Sequence, residues 1–179
     1  YIDLNRNEIK EINWKYCPKT LSWINLRFNE IKELNWKGCP KTLTGIDLGS
    51  NCIEEMNWDY CPWNLTWIYL GNNQIKELKW KGCPETLSEI YLQQNDIKGL
   101  NWKEYPGITE ITEINLYGNE IIKELHVINW KYVPWNIQHI WSESLIDKYK
   151  EYKKSRNNIP GLPWISQERK NLIYEIDHV

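Results

Sequence analysis

The sequence predicts an α/β solenoid in which short parallel strands, one per repeat, stack into a concave sheet with an irregular convex side and a helical cap at the C-terminal end. Three observations carry this. Tryptophan recurs at Trp14, Trp36, Trp58, Trp80 and Trp102, always 22 residues apart, and again at Trp130 after 28. Self-similarity at a fixed period of this size marks stacked supersecondary units, because one unit cannot bury its apolar face alone. Each unit contains an Ile-x-Leu segment that alternates as a half-buried strand does. After Trp141 the period stops and helical spacing takes over. The chain therefore divides into a solenoid over 1–141, with about seven strands and an incomplete first repeat, and a cap over 142–179.

Within a repeat the frame reads Leu21-x-x-Ile24-x-Leu26-x-x-Asn29-x-Ile31-x-x-Leu34-x-Trp36. It recurs from Leu43, Leu65 and Leu87, and from Ile111. Copies one period apart place their strands side by side and parallel. The frame resembles the leucine-rich repeat family, whose L-x-x-L-x-L-x-x-N-x-L core it matches over about Ile2 to Trp141, with isoleucine at many leucine positions. Pro18-Lys-Thr-Leu21, Pro40-Lys-Thr-Leu43 and Pro84-Glu-Thr-Leu87 are similar to the short proline-bearing repeats of bacterial proteins, social amoebae and giant DNA viruses. The resemblance implies a horseshoe whose concave sheet face meets a protein or peptide. It also implies two rivals: the substrate-recognition part of a larger ubiquitin-ligase adaptor of the F-box kind, and a structural or virion component without a specific ligand.

The columns that stay constant read as structure. Cys17, Cys39, Cys61 and Cys83 share one position, each before proline, and its later occupants are Tyr105 and Val133. A site accepting cysteine, tyrosine and valine is apolar and inward-facing, so buried, reduced, metal-free thiols are expected, and with them an intracellular, cytoplasmic setting. No C-x-x-C knuckle suggests zinc. Cys52 stands where other repeats carry Glu8, Glu30, Gln74, Asp96 or Glu120, and is expected at the surface. The tryptophan lies two residues after a core leucine and should share its inward face. The asparagines Asn7, Asn29, Asn51, Asn73, Asn95 and Asn119 are expected to satisfy backbone groups where the strand turns away. Lys15, Lys37, Lys81, Lys103 and Lys131 form a convex stripe, interrupted by Asp59, that reads as a solvated face.

Function is sought in the columns that drift. Before the strand isoleucine stand Trp23, Gly45, Trp67, Glu89, Glu113 and His139. Between isoleucine and leucine stand Asp3, Asn25, Asp47, Tyr69, Tyr91, Asn115 and Trp141; after leucine come Asn5, Arg27, Gly49, Gly71, Gln93 and Tyr117. Trp23, Arg27, Asp47, Trp67, Tyr69, Glu89, Tyr91, Glu113, Tyr117, His139 and Trp141 are the candidate partner-binding residues. Exposed aromatics beside charges suit a protein hot spot, since such rings offer large contact area at small entropic cost; support of cross-strand packing is the alternative role. Gly45, Gly49 and Gly71 are expected to leave a shallow recess between Trp23 and Trp67.

Other function classes are disfavoured. A net charge of -2 removes the broad attraction a general nucleic-acid binder uses. No apolar run reaches membrane-spanning length, and nothing near Tyr1 resembles a signal peptide, although a chain that begins without methionine inside a repeat reads as a fragment. Glu89 and Glu113 at one strand spacing resemble a glycosidase pair, but an open sheet face lacks the water-excluding pocket that tunes such groups. No phosphate loop or nucleophile motif is present. The expectation is a non-enzyme without cofactor. Two extra residues between Pro106 and Ile111, and about four more between Asn119 and Trp130, read as loops, functional or structural. In the tail, Ser142 starts a helix with Leu145, Ile146, Tyr149 and Tyr152 on one side. That tail caps the open core or binds a partner.

Overall fold

The computed structural model describes residues 1–99, 111–120, 139–141 and 154. Its sheet is parallel throughout and follows chain order: β1 (Ile2–Asp3), β2 (Trp23–Asn25), β3 (Gly45–Asp47), β4 (Trp67–Tyr69), β5 (Glu89–Tyr91), β6 (Glu113–Asn115) and β7 (His139–Trp141). The register holds repeat position against repeat position, from Ile2 opposite Ile24 to Ile114 opposite Ile140. Units of 24 residues between Ile90 and Ile114, and 26 between Ile114 and Ile140, keep the same register, so their added length is absorbed outside the strands.

Why each strand is so short follows from the column before the asparagine. Arg6, Phe28, Ser50, Asn72, Gln94 and Gly118 all have φ between 55° and 69°, the left-handed region. That conformation turns the chain sharply inward. The asparagine that follows then fastens the turn. Asn51 Nδ2 donates to Leu26 O of the preceding repeat and to Leu48 O of its own, each at 3.0 Å, while its Oδ1 accepts the Ile31 N–H at 3.0 Å. Asn29, Asn73 and Asn95 do the same and are buried with it. The expected column thus holds, except at its ends: Asn7 is exposed and bonds only within its own turn, and Asn119 is half-buried.

Inside the turns, Leu21, Ile24, Leu26 and Ile31, with their equivalents from Leu43, Leu65 and Leu87, are buried. Each side chain contributes roughly 1.5–3 kcal/mol of burial, which offsets the entropy of ordering its repeat only because neighbours share the surface. Trp14, Trp36, Trp58 and Trp80 close the far side, all buried. The indole nitrogens of Trp14, Trp36 and Trp58 donate to carbonyls one repeat on, Asn35 O, Asn57 O and Lys79 O, at 2.6–2.8 Å. These residues therefore pack and also join rungs. A hydroxyl ladder adds to the joints: Thr44, Thr66 and Ser88 each donate to the carbonyl of the previous repeat's equivalent at 2.9–3.0 Å.

The cysteine column departs from expectation. Only Cys83 is buried; Cys17, Cys39 and Cys61 are half-buried, because they sit where the Trp-to-Pro turn reaches the surface. All four are free thiols. Desolvation pushes the Cys39 and Cys83 thiols up to about 12 and raises Cys17 and Cys61 as well, reinforced at Cys39 and Cys61 by neighbouring thiols of the ladder. Cys52, expected at the surface, is also half-buried.

The chain forms two compact units, Tyr1–Asp147 and Lys148–Val179. Of the second, only Lys154 is described, helical and exposed. The expected cap over 142–179, Trp102 and Trp130, the later cysteine equivalents and most of the insertions lie outside the described residues.

Candidate functional site

The outward positions of the strands form one continuous face. A period of two sends Ile and Leu inward, so the residues before, between and after them point away from the core. On this face Trp23, Arg27, Asp47, Trp67, Tyr69, Glu89, Tyr91 and Glu113 are half-buried, and Tyr117 is exposed. His139 and Trp141 continue the backbone register beside Glu113 and Asn115; their side chains lie outside the described residues.

The rings pack against one another across the strands. Tyr1 stacks on Trp23 at 4.4 Å between centroids, and Trp23 meets Trp67 at 6.0 Å with a 44° tilt. Tyr69 and Tyr91, directly opposed on β4 and β5, stack at 5.7 Å. The expected recess is therefore filled. A Cβ placed on Gly45 would fall 2.2 Å from the Trp67 indole, and one on Gly49 would fall 2.7 Å from the Tyr69 ring. Glycine is needed here for close ring-on-backbone approach, and Trp67 lies over the floor that a recess would have exposed. Cross-strand packing and presentation are thus combined in the same side chains.

Arg27 links the aromatic groups. Its guanidinium carbon lies 5.1 Å from the Tyr69 ring centre and 5.0 Å from that of Phe28, and Arg6 covers Phe28 at 5.5 Å. Phe28 escaped the sequence reading because its column, before the asparagine, varies without pattern. Phe28 takes φ 56°, uncommon for a bulky side chain, and is 44% exposed. Gln93, placed on the outward column but not among the candidates, joins them: its Nε2 donates to the Tyr69 hydroxyl. Trp23 Nε1 and Gln93 Oε1 are buried without a hydrogen-bond partner among the described residues.

Carboxylates stand beside the rings. Asp47 accepts the Gly49 N–H at 2.8 Å. Desolvation raises its carboxyl above the usual range, opposed by that bond and by Arg27. Glu89 and Glu113 are directly opposed on β5 and β6. The Tyr91 hydroxyl donates to Glu89 Oε2 at 2.9 Å, and desolvation, that bond and the two carboxylate charges push the phenol well above its ordinary value. The ion pairs among the described residues lie elsewhere: Lys10 with Glu30, Lys76 with Glu54 and Lys79 with Glu55.

No family model matches the chain, and no curated protein matches it. Solved structures do. The leucine-rich repeat domain of a Shigella effector superposes with a TM-score of 0.52 at 19% identity, over 69% of this chain and 51% of that one. YopM from Yersinia enterocolitica superposes at 0.55 and 18% identity, over 77% of this chain and 27% of its own. The chain thus spans about half or less of the length of these similar proteins. At such identity the likeness establishes the fold: a leucine-rich repeat solenoid of parallel strands and 22-residue turns.

Proposed function

We propose that this leucine-rich repeat solenoid is a non-enzymatic interaction module that binds a protein or peptide through the outward face of its sheet. The observation that carries this reading is the row of packed rings, Tyr1 to Trp67 and Tyr69 to Tyr91, with Arg27 between them on the outward sheet face. Rings already held by their neighbours lose little freedom on binding, which is what makes aromatic anchors effective. Trp23, Trp67, Tyr69 and Tyr91 are the proposed anchors. Arg27, Asp47, Glu89, Glu113, Tyr117, His139 and Trp141 border them.

Comparative capture tests this. The intact 179-residue chain, a Trp67→Ala/Tyr91→Ala variant and a Lys37→Glu/Lys81→Glu variant are immobilised, and retained proteins are quantified against one another. Partners held by the intact chain and the lysine variant, and lost from the ring variant, support the reading. Loss with the lysine changes alone places the binding surface on the opposite side and sinks it.

A further inference from the structure

The sheet face is chemically divided, and the division states what a partner must bring. Over β2 to β4 the surface is aromatic, and its one carboxylate with a shifted acidity, Asp47, is engaged by the Gly49 N–H with Arg27 nearby. Over β5 and β6 Glu89 and Glu113 face each other in register. Like charges directly opposed across two strands are destabilising. Among the described residues neither enters an ion pair; the Tyr91 hydroxyl bonded to Glu89 supplies a dipole but no positive charge.

We infer that the occupant of this face is an extended peptide segment that sets a lysine or arginine side chain on the Glu89–Glu113 pair and an apolar or aromatic side chain on Trp67. The inference rests on the reading of the sheet face as the binding surface and specifies the partner's chemistry. Trp67, Glu89 and Glu113 occupy one column on successive strands. The Trp67 indole lies over Gly45 on β3, so at a strand spacing of roughly 4.8 Å it is roughly 12 Å from the midpoint of the two carboxylate positions. An extended peptide crossing the strands advances roughly 3.3 Å per residue and shows alternate side chains to the same side. Residues four apart therefore meet both features at once. The recognised pattern is an apolar residue, any three residues, then a cation, or its reverse.

A phage-displayed library of random dodecapeptides, selected on the intact chain, tests both the surface and the chemistry. The expected result is enrichment of lysine or arginine four positions from an apolar residue. A selected peptide should weaken about tenfold on Glu89→Gln/Glu113→Gln, a change of about 1.4 kcal/mol, and its affinity should fall with added salt. Thermal unfolding of the same variant separates this from a structural role: removing opposed like charges should leave the midpoint unchanged or raised. Peptides that need Trp67 but show no cation preference overturn this inference while leaving the sheet-face reading intact. Peptides insensitive to both Trp67→Ala and the glutamine changes overturn both.

Discussion

Asn51 shows how much of the fold depends on a single side chain. It serves three carbonyls, Gly49 O at 3.3 Å among them, and one amide, belonging to two repeats and all buried. Asn51→Ala should leave the buried Ile31 N–H unsatisfied, at about 1–3 kcal/mol if water does not rescue it, whereas Leu26 O and Leu48 O each keep one partner, Asn29 Nδ2 and Asn73 Nδ2. A loss of about 1–3 kcal/mol in urea unfolding is the expected outcome. Asn51→Asp keeps the acceptor but replaces the donors with a charge, so its deficit should shrink as pH falls and the carboxyl is protonated. The thiols make an opposite, alkaline prediction. In the unfolded chain they ionise near pH 9, whereas Cys39 and Cys83 in the folded chain hold their protons to about 12. Between those values the unfolded state binds fewer protons, so stability falls as pH rises. Cys39→Val/Cys83→Val should flatten that decline in chemical-denaturation midpoints measured across pH 9 to 12.

The rung's two tryptophan positions have different consequences. Trp58 is buried and its nitrogen donates to Lys79 O. Trp58→Ala should cost about 3–5 kcal/mol through lost burial and a cavity. Trp67 is half-buried, yet it covers Gly45 and touches Trp23. Trp67→Ala should cost less, about 1–2 kcal/mol, since aromatic pair contacts add roughly 0.5–1.5 kcal/mol to partial burial. Equal losses in denaturant titration would contradict the division of inward and outward columns. That division was legible in the sequence because constancy and period two both report the core: every Ile-x-Leu strand and the inner asparagines appear where the frame puts them. The ring-on-glycine packing was not legible. Gly45 and Trp67 are in different repeats, and their contact depends on how far an indole leans across a strand, which no periodicity encodes. The same limit hid the surface exposure of Cys17, Cys39 and Cys61, where a column's apolar character says nothing of its distance from the turn's edge. Left-handed turns at Phe28 and Gln94 were hidden because glycine, the usual signal, appears in that column only at Gly118.

At the scale of the whole molecule, the opposing sides of the solenoid differ in kind. Lys15, Lys37 and Lys81 are exposed beyond the tryptophan ladder, while the sheet face carries rings and carboxylates. Tyr60 and Trp63 also stand out on that far side, 77% and 64% exposed, with Lys41 over the Trp63 ring at 4.8 Å. Tyr60 takes φ 66° where equivalent positions hold Gly38 and Gly82. Tyr60→Gly should relieve roughly 1 kcal/mol of backbone strain against a similar entropic loss, leaving the melting temperature close to that of the parent. The constant register has a genetic corollary. Because Ile24, Ile46 and Ile68 are aligned in unbroken series, a recombination event that removes residues 45–66 would set Trp67 beside Trp23 across a joint like the others. Unequal crossing-over between neighbouring copies can therefore lengthen or shorten this gene in whole rungs, changing which outward side chains become neighbours while each product inherits a ready-made interior.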